Sequence, residues 1–115
     1  MPTGEDLTSI IEAMIEVTEE LQLALGVQNE IRREELRRLR TGEPLRDIVS
    51  SLPVGATRMR SKVAQEQMEA QRKTLRLALM GRCIDEGLTN KDIARIWEVS
   101  VQLVSRYTAP EHMPG

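Results

Sequence analysis

Apolar residues recur at three- and four-residue spacing along most of this chain, with almost no strand-like alternation, so the pattern predicts an all-α fold. Thr3 and Asp6 form a capping-box pair ahead of Leu7, Ile10, Ile11, Met14, Ile15, Leu21 and Leu25, which share one helical face. Leu7, Met14 and Leu21 repeat at seven, as do Ile10 and Val17, which is short-range coiled-coil character and nominates these five residues for a dimer seam. Gly26 and Asn29 weaken the pattern before it resumes at Ile31, Leu36 and Leu39, leaving either one long helix with a change of face or two helices with a kink.

Thr41, Gly42, Glu43 and Pro44 break the chain, with Pro44 suited to the first position of a new helix carrying Leu45, Ile48, Val49 and Leu52. A helix bearing Arg58, Met59, Arg60, Lys62 and Val63 follows Pro53. Residues 64–74 are rich in Gln and charge and read as an exposed connecting helix. Apolar density returns at Leu75, Leu77, Leu79, Met80, Cys83 and Ile84, the expected first helix of a three-helix domain.

The last periodic segments carry the clearest start signals. Gly87 can end the preceding helix, Thr89 is an N-cap with Asp92 as its capping-box acid, and Leu88 with Ile93 forms a hydrophobic staple. Ser100 is a second N-cap, with Val99 and Val104 in the same staple relation. Ile93, Ala94, Trp97, Val99, Leu103 and Val104 then close inward, and Ser100, Val101, Gln102, Ser105 and Arg106 stay on the outer face.

The run DIARIWEVSVQLVSRY resembles the helix-turn-helix of bacterial and phage transcriptional regulators over about a fifth of the chain. Ala94, Val99, Ser100 and Val104 match its structural positions. The resemblance implies that Gln102, Ser105 and Arg106 contact bases or phosphates of double-stranded DNA, with Ser100 at a phosphate or base edge and Thr89 and Lys91 on the backbone. Glu98 departs from the pattern, which prefers Gly there because that residue often takes a positive φ. Val101 departs too, offering only a methyl contact to thymine.

An upstream run, DIVSSLPVGATRMRSK, aligns with the motif: Asp47 with Asp92, Ile48 with Ile93, Leu52 with Trp97, Val54 with Val99, Gly55 with Ser100 and Met59 with Val104. Two readings stay open, a duplicated element with Arg58, Arg60 and Lys62 as secondary DNA contacts, or the spacing shared by any amphipathic helix pair.

Composition sharpens this outline. Phe is absent and Trp and Tyr occur once each, so the core must be aliphatic and thin, which favours self-association. The net charge of −2 is unhelpful to DNA binding. Its distribution is uneven: seven acids and no Lys or Arg up to Glu30, twelve bases against six acids from Ile31 to Arg76, four against five thereafter. The arginines at 32, 33, 37, 38 and 40 sit among Glu34 and Glu35, either as a solvated, paired face or as a nucleic-acid patch. A single Cys, Cys83, excludes an intrachain disulfide and fits a reducing cytoplasm, where it serves as a small core residue. The single His, His112, lies in a Pro-flanked tail, and no cluster of metal ligands, phosphate loop or nucleophile is legible, so no enzyme, cofactor or metal is expected. No apolar run approaches a membrane span. No small-molecule pocket is legible either.

These features predict residues 1–73 as a helical dimerisation region with a basic middle, 74–109 as a helix-turn-helix domain and 110–115 as a loose tail. The expected protein is a cytoplasmic, homodimeric, sequence-specific transcriptional regulator. Two other readings share its residues: an adaptor or anti-repressor that keeps the shape and binds protein, and a promoter-recognition module working beside RNA polymerase.

Overall fold

A computed structural model describes residues 4–109, with side chains from Asp6 onward. The Thr3 capping box and the tail with His112 lie outside the described residues. Five helices and no strand occur among them: α1 (Gly4–Arg40), α2 (Leu45–Ser51), α3 (Val54–Asp85), α4 (Asn90–Trp97) and α5 (Val101–Tyr107). No helix among them is long and apolar enough to cross a membrane.

The first of the two expectations for α1 is the one observed. Gly26 alone does not interrupt it, because a single interior Gly costs a helix only about 1 kcal/mol against Ala, and the flanking residues are good helix formers. The helix stops where Gly42 takes a φ of 84° and hydrogen bonds run back from the Gly42 N–H to the Leu39 carbonyl and from the Glu43 N–H to the Arg38 carbonyl. Pro44 stands one position before the place expected for it, as the N-cap of α2, with its carbonyl accepting from Asp47 and Ile48. Leu52 ends α2 in extended conformation because the following Pro53 disfavours helical geometry there.

The three segments expected between Arg58 and Ile84 are one helix. Between Gly55 and Gly81 nothing in α3 breaks a helix, and low apolar density does not terminate one.

The chain forms two compact units, residues 15–69 and residues 4–14 with 70–109. In the first, α1 and α3 pack through small side chains. Leu21, Ala24 and Ala64 are buried with Met68 against them, and the buried Ser61 hydroxyl lies 3.5 Å from the Ala24 carbonyl it donates to. Ile48 brings α2 into the buried set, and Thr57 satisfies its hydroxyl on the Pro53 carbonyl at 2.6 Å. Leu21, one of the five seam candidates, is therefore covered by its own chain, while Leu7, Ile10, Met14 and Val17 are half-buried.

The second unit has a core of Met80, Ile93, Ala94 and Val104, edged by Cys83, Ile84, Leu88, Trp97, Val99 and Tyr107. Burial raises the pKa of the Cys83 thiol, with Glu86 adding to it, which favours the protonated form.

The arginine-rich end of α1 is largely paired. Arg32 meets Glu35 at 2.6 Å and Arg37 meets Glu34. Arg38 reaches Glu43 and, at 2.6 Å, the Ser51 hydroxyl, tying the end of α1 to the loop and to α2. The carboxyls of Glu34 and Glu43 are held below the ordinary range, chiefly by these arginine hydrogen bonds.

An added Cβ at Gly26 would meet nothing within 4 Å. Gly26→Ala should therefore stabilise the protein by up to about 1 kcal/mol, read as a rise in the thermal midpoint by circular dichroism; an unchanged or lower midpoint would show that this turn of α1 is not helical in solution.

Candidate nucleic-acid interface

The path into α4 is set by two local devices. Gly87, with a φ of 98°, ends α3 with hydrogen bonds from its own N–H to the Ile84 carbonyl and from the Leu88 N–H to the Cys83 carbonyl. Thr89 then caps α4: its hydroxyl accepts the Asp92 N–H at 3.1 Å, while Asp92 Oδ2 accepts the Thr89 N–H at 3.0 Å and its hydroxyl at 2.9 Å. Leu88 packs beside the buried Ile93, so the chain enters α4 over the core.

The turn out of α4 repeats the first device with a different residue. Glu98 has a φ of 54° and a ψ of 46°, and the N–H groups of Glu98 and Val99 return to the Arg95 and Ala94 carbonyls. A side chain in this conformation is strained, and here Glu occupies it where Gly would be free. Ser100 follows as the N-cap of α5, accepting the Leu103 N–H at 3.1 Å. Val99 and Val104 pack into the core on either side of that cap.

The seven predicted contact residues fall into two groups. Thr89, Ser100 and Ser105 have local work: the first two are caps, and the Ser105 hydroxyl accepts from the Asn90 side chain at 3.3 Å. Lys91, Val101, Gln102 and Arg106 are exposed, and among the described residues neither Lys91 nor Arg106 forms an ion pair. The protein thus leaves on or beside α5 one amide, one guanidinium, one ammonium and one branched alkyl group free to meet a ligand.

Two further contacts hold this arrangement and carry no local sequence signal. Asn90, through Ser105, links the first turn of α4 to the outer face of α5. Arg76 on α3 donates to the Tyr107 hydroxyl and stands 4.8 Å from the centroid of that ring, a cation–π contact that closes the end of α5 on α3.

The secondary residues behave differently. Arg58 and Lys62 are exposed, but Arg60 holds Glu20 with both nitrogens, at 2.9 and 3.3 Å, and is committed to joining α3 to α1. The proposed duplication also ends here. Ile48 and Ile93 are both buried, yet Met59 is 54% exposed where its counterpart Val104 is buried, and Leu52 and Pro53 make an extended link where Glu98 makes a left-handed turn. The second reading, shared amphipathic spacing, is the one the geometry supports.

No protein-family model, curated protein or solved structure matches the chain.

Two outcomes are expected. Glu98→Gly should stabilise the protein by about 1 kcal/mol, since it relieves the left-handed strain without removing the backbone hydrogen bonds; a loss of stability in denaturant titration would show that the Glu98 side chain is needed. The pKa of Asp92 is lowered, first by the Thr89 backbone hydrogen bond and then by its hydroxyl. A carboxyl lowered on folding stabilises in full above its unfolded value and loses that contribution as pH falls through the folded value. Wild-type melting should therefore weaken as pH drops below about 4, and Asp92→Asn should flatten that limb of the profile; an identical limb in the variant would exclude Asp92 as its cause.

Proposed function

We propose that α4 and α5 form a helix-turn-helix that reads double-stranded DNA, and that the protein is a sequence-specific transcriptional regulator. One observation carries this reading: two capped short helices joined by the Glu98 turn leave Val101, Gln102 and Arg106 uncommitted on the outward side of α5. In this reading α5 enters the major groove. Gln102 offers a donor and an acceptor to the adenine edge, Arg106 offers two donors to guanine or one charge to a phosphate, and Val101 a methyl to thymine. Lys91, at the start of α4, holds a phosphate and positions without specifying. Two copies would set two readers on two half-sites.

A second reading has its own observation. Ile96 is 56% and Val101 43% exposed, an apolar pair on the motif that also suits a protein partner. The discriminating measurement is binding to random duplex DNA over a salt series. Steep loss of affinity with salt would support DNA reading, and no binding at low salt would favour the protein partner. With a selected DNA site in hand, Arg106→Ala should weaken binding by about 1 to 3 kcal/mol, measured by fluorescence anisotropy; equal binding would remove Arg106 from the reading face.

A further inference from the structure

The C-terminal end of α1 holds positive charge that the chain's own acids do not meet. Arg33, Arg37 and Arg40 stand at i, i+4 and i+7 on one face of the helix, and with Leu36 and Thr41 they line an open cleft of about 440 Å³ that no carboxylate lines. Arg33 and Arg40 form no ion pair among the described residues, and Arg37 holds Glu34 through Nε and Nη2. An acid lies within reach of Arg33. Glu30 precedes it by the three residues that also separate Glu34 from Arg37, yet no ion pair joins Glu30 to Arg33, which lines the cleft instead. Arg32 and Arg38, off this face, do have carboxylates, those of Glu35 and Glu43.

Two ordinary explanations fall short. The negative end of the helix dipole favours cations in the last turn, which accounts for Arg37 and Arg40, but the effect fades before Arg33. A solvated face would pair its charges or alternate their sign, whereas Arg33 and Arg37 are like charges at i, i+4, a spacing at which they repel.

We propose that this cleft binds the phosphate backbone of duplex DNA without reading its sequence. Guanidinium groups match phosphate oxygens in charge and in their paired N–H donors. The three span about 10 Å of helix axis, so they follow a row of phosphates rather than enclose one anion. No aromatic ring lines the cleft for bases to stack on, which favours the duplex over a single strand. A lipid surface would need a broader apolar face than Leu36 offers among the residues that line it. The contact belongs to the unit of residues 15–69 and supplies affinity through counterion release, so it holds or fails whether or not α5 reads bases.

The test is fluorescence anisotropy of the full chain with a labelled random-sequence duplex over a salt series. Wild type should bind at low salt and lose affinity steeply as salt rises. Arg33→Gln and Arg40→Gln should each lower the slope of log affinity against log salt by about one, and together should weaken low-salt binding about tenfold. Their helical circular dichroism should not change, because both side chains are exposed. Lys73→Gln, which removes one charge from an exposed position of α3, should leave slope and affinity unchanged. Gln102→Ala with Arg106→Ala, which probes α5, should still bind and should still respond to the Arg33 and Arg40 substitutions. Absence of wild-type binding at low salt would overturn the proposal, as would an equal effect of Lys73→Gln or a loss of binding through the α5 substitutions alone. Binding to vesicles of phosphatidylcholine and phosphatidylglycerol, with none to the duplex, would overturn it too and assign the arginines to lipid headgroups.

Discussion

Every reversal that ends α1, α3 or α4 depends on one residue going left-handed. At Gly42, Gly87 and Glu98 the chain takes a positive φ, and in each case two N–H groups turn back to carbonyls of the last helical turn. These hydrogen bonds satisfy carbonyls that a helix otherwise leaves open, and they give the chain a fixed exit direction. The other two helices end otherwise: α2 through the extended Leu52 that Pro53 imposes, and α5 at Thr108 with a negative φ. Between these stops nothing forces a helix to finish, which is why α1 and α3 run to 37 and 32 residues.

Such long helices must be held together without aromatic side chains. Where α1 meets α3 the contact is made by Ala24, Ser61 and Ala64, small enough for the backbones to approach closely, and it buries little apolar area per residue. Ion pairs supplement it at the surface, as between Glu20 and Arg60, and such exposed pairs contribute at most about 1 kcal/mol each. The larger core, of Met80, Ile93, Ala94 and Val104, lies under α4 and α5. The chain thus concentrates its packing where α5 needs a fixed orientation.

What was legible in the sequence was what is local. The caps at Thr89 and Ser100 and the stop at Gly87 each depend on residues within five positions, and chain order displays them directly. The positive φ at Glu98 was suggested only by the resemblance, because Glu itself gives no signal for it. The continuity of α3 was obscured because apolar spacing fades through residues 64–74 while helix propensity does not; burial and helix formation are separate properties there. Asn90 with Ser105, Arg76 with Tyr107 and Glu20 with Arg60 meet through space, and neither partner signals the other. The apparent repeat shows the converse error. Ile48 and Ile93 are both buried, but Met59 is exposed where Val104 is buried, so equal spacing conceals unequal packing.

The occupied hydroxyls sharpen the question of how the α5 face could bind DNA at all. With Thr89, Ser100 and Ser105 engaged within the protein, few cationic groups remain beside α5, and Asp92 and Glu98 lie on the same motif. In the DNA reading, one such reader gains little from counterion release, since that gain grows with the number of phosphates neutralised. Base contacts by Gln102 and Arg106 would then supply selectivity without much affinity. Coupling two readers changes the balance without new contacts, because the second engages at an effective concentration set by the linkage between copies. In the DNA reading, pairing two weakly charged readers would meet that need, and a dimer of modest strength would keep DNA engagement dependent on protein concentration.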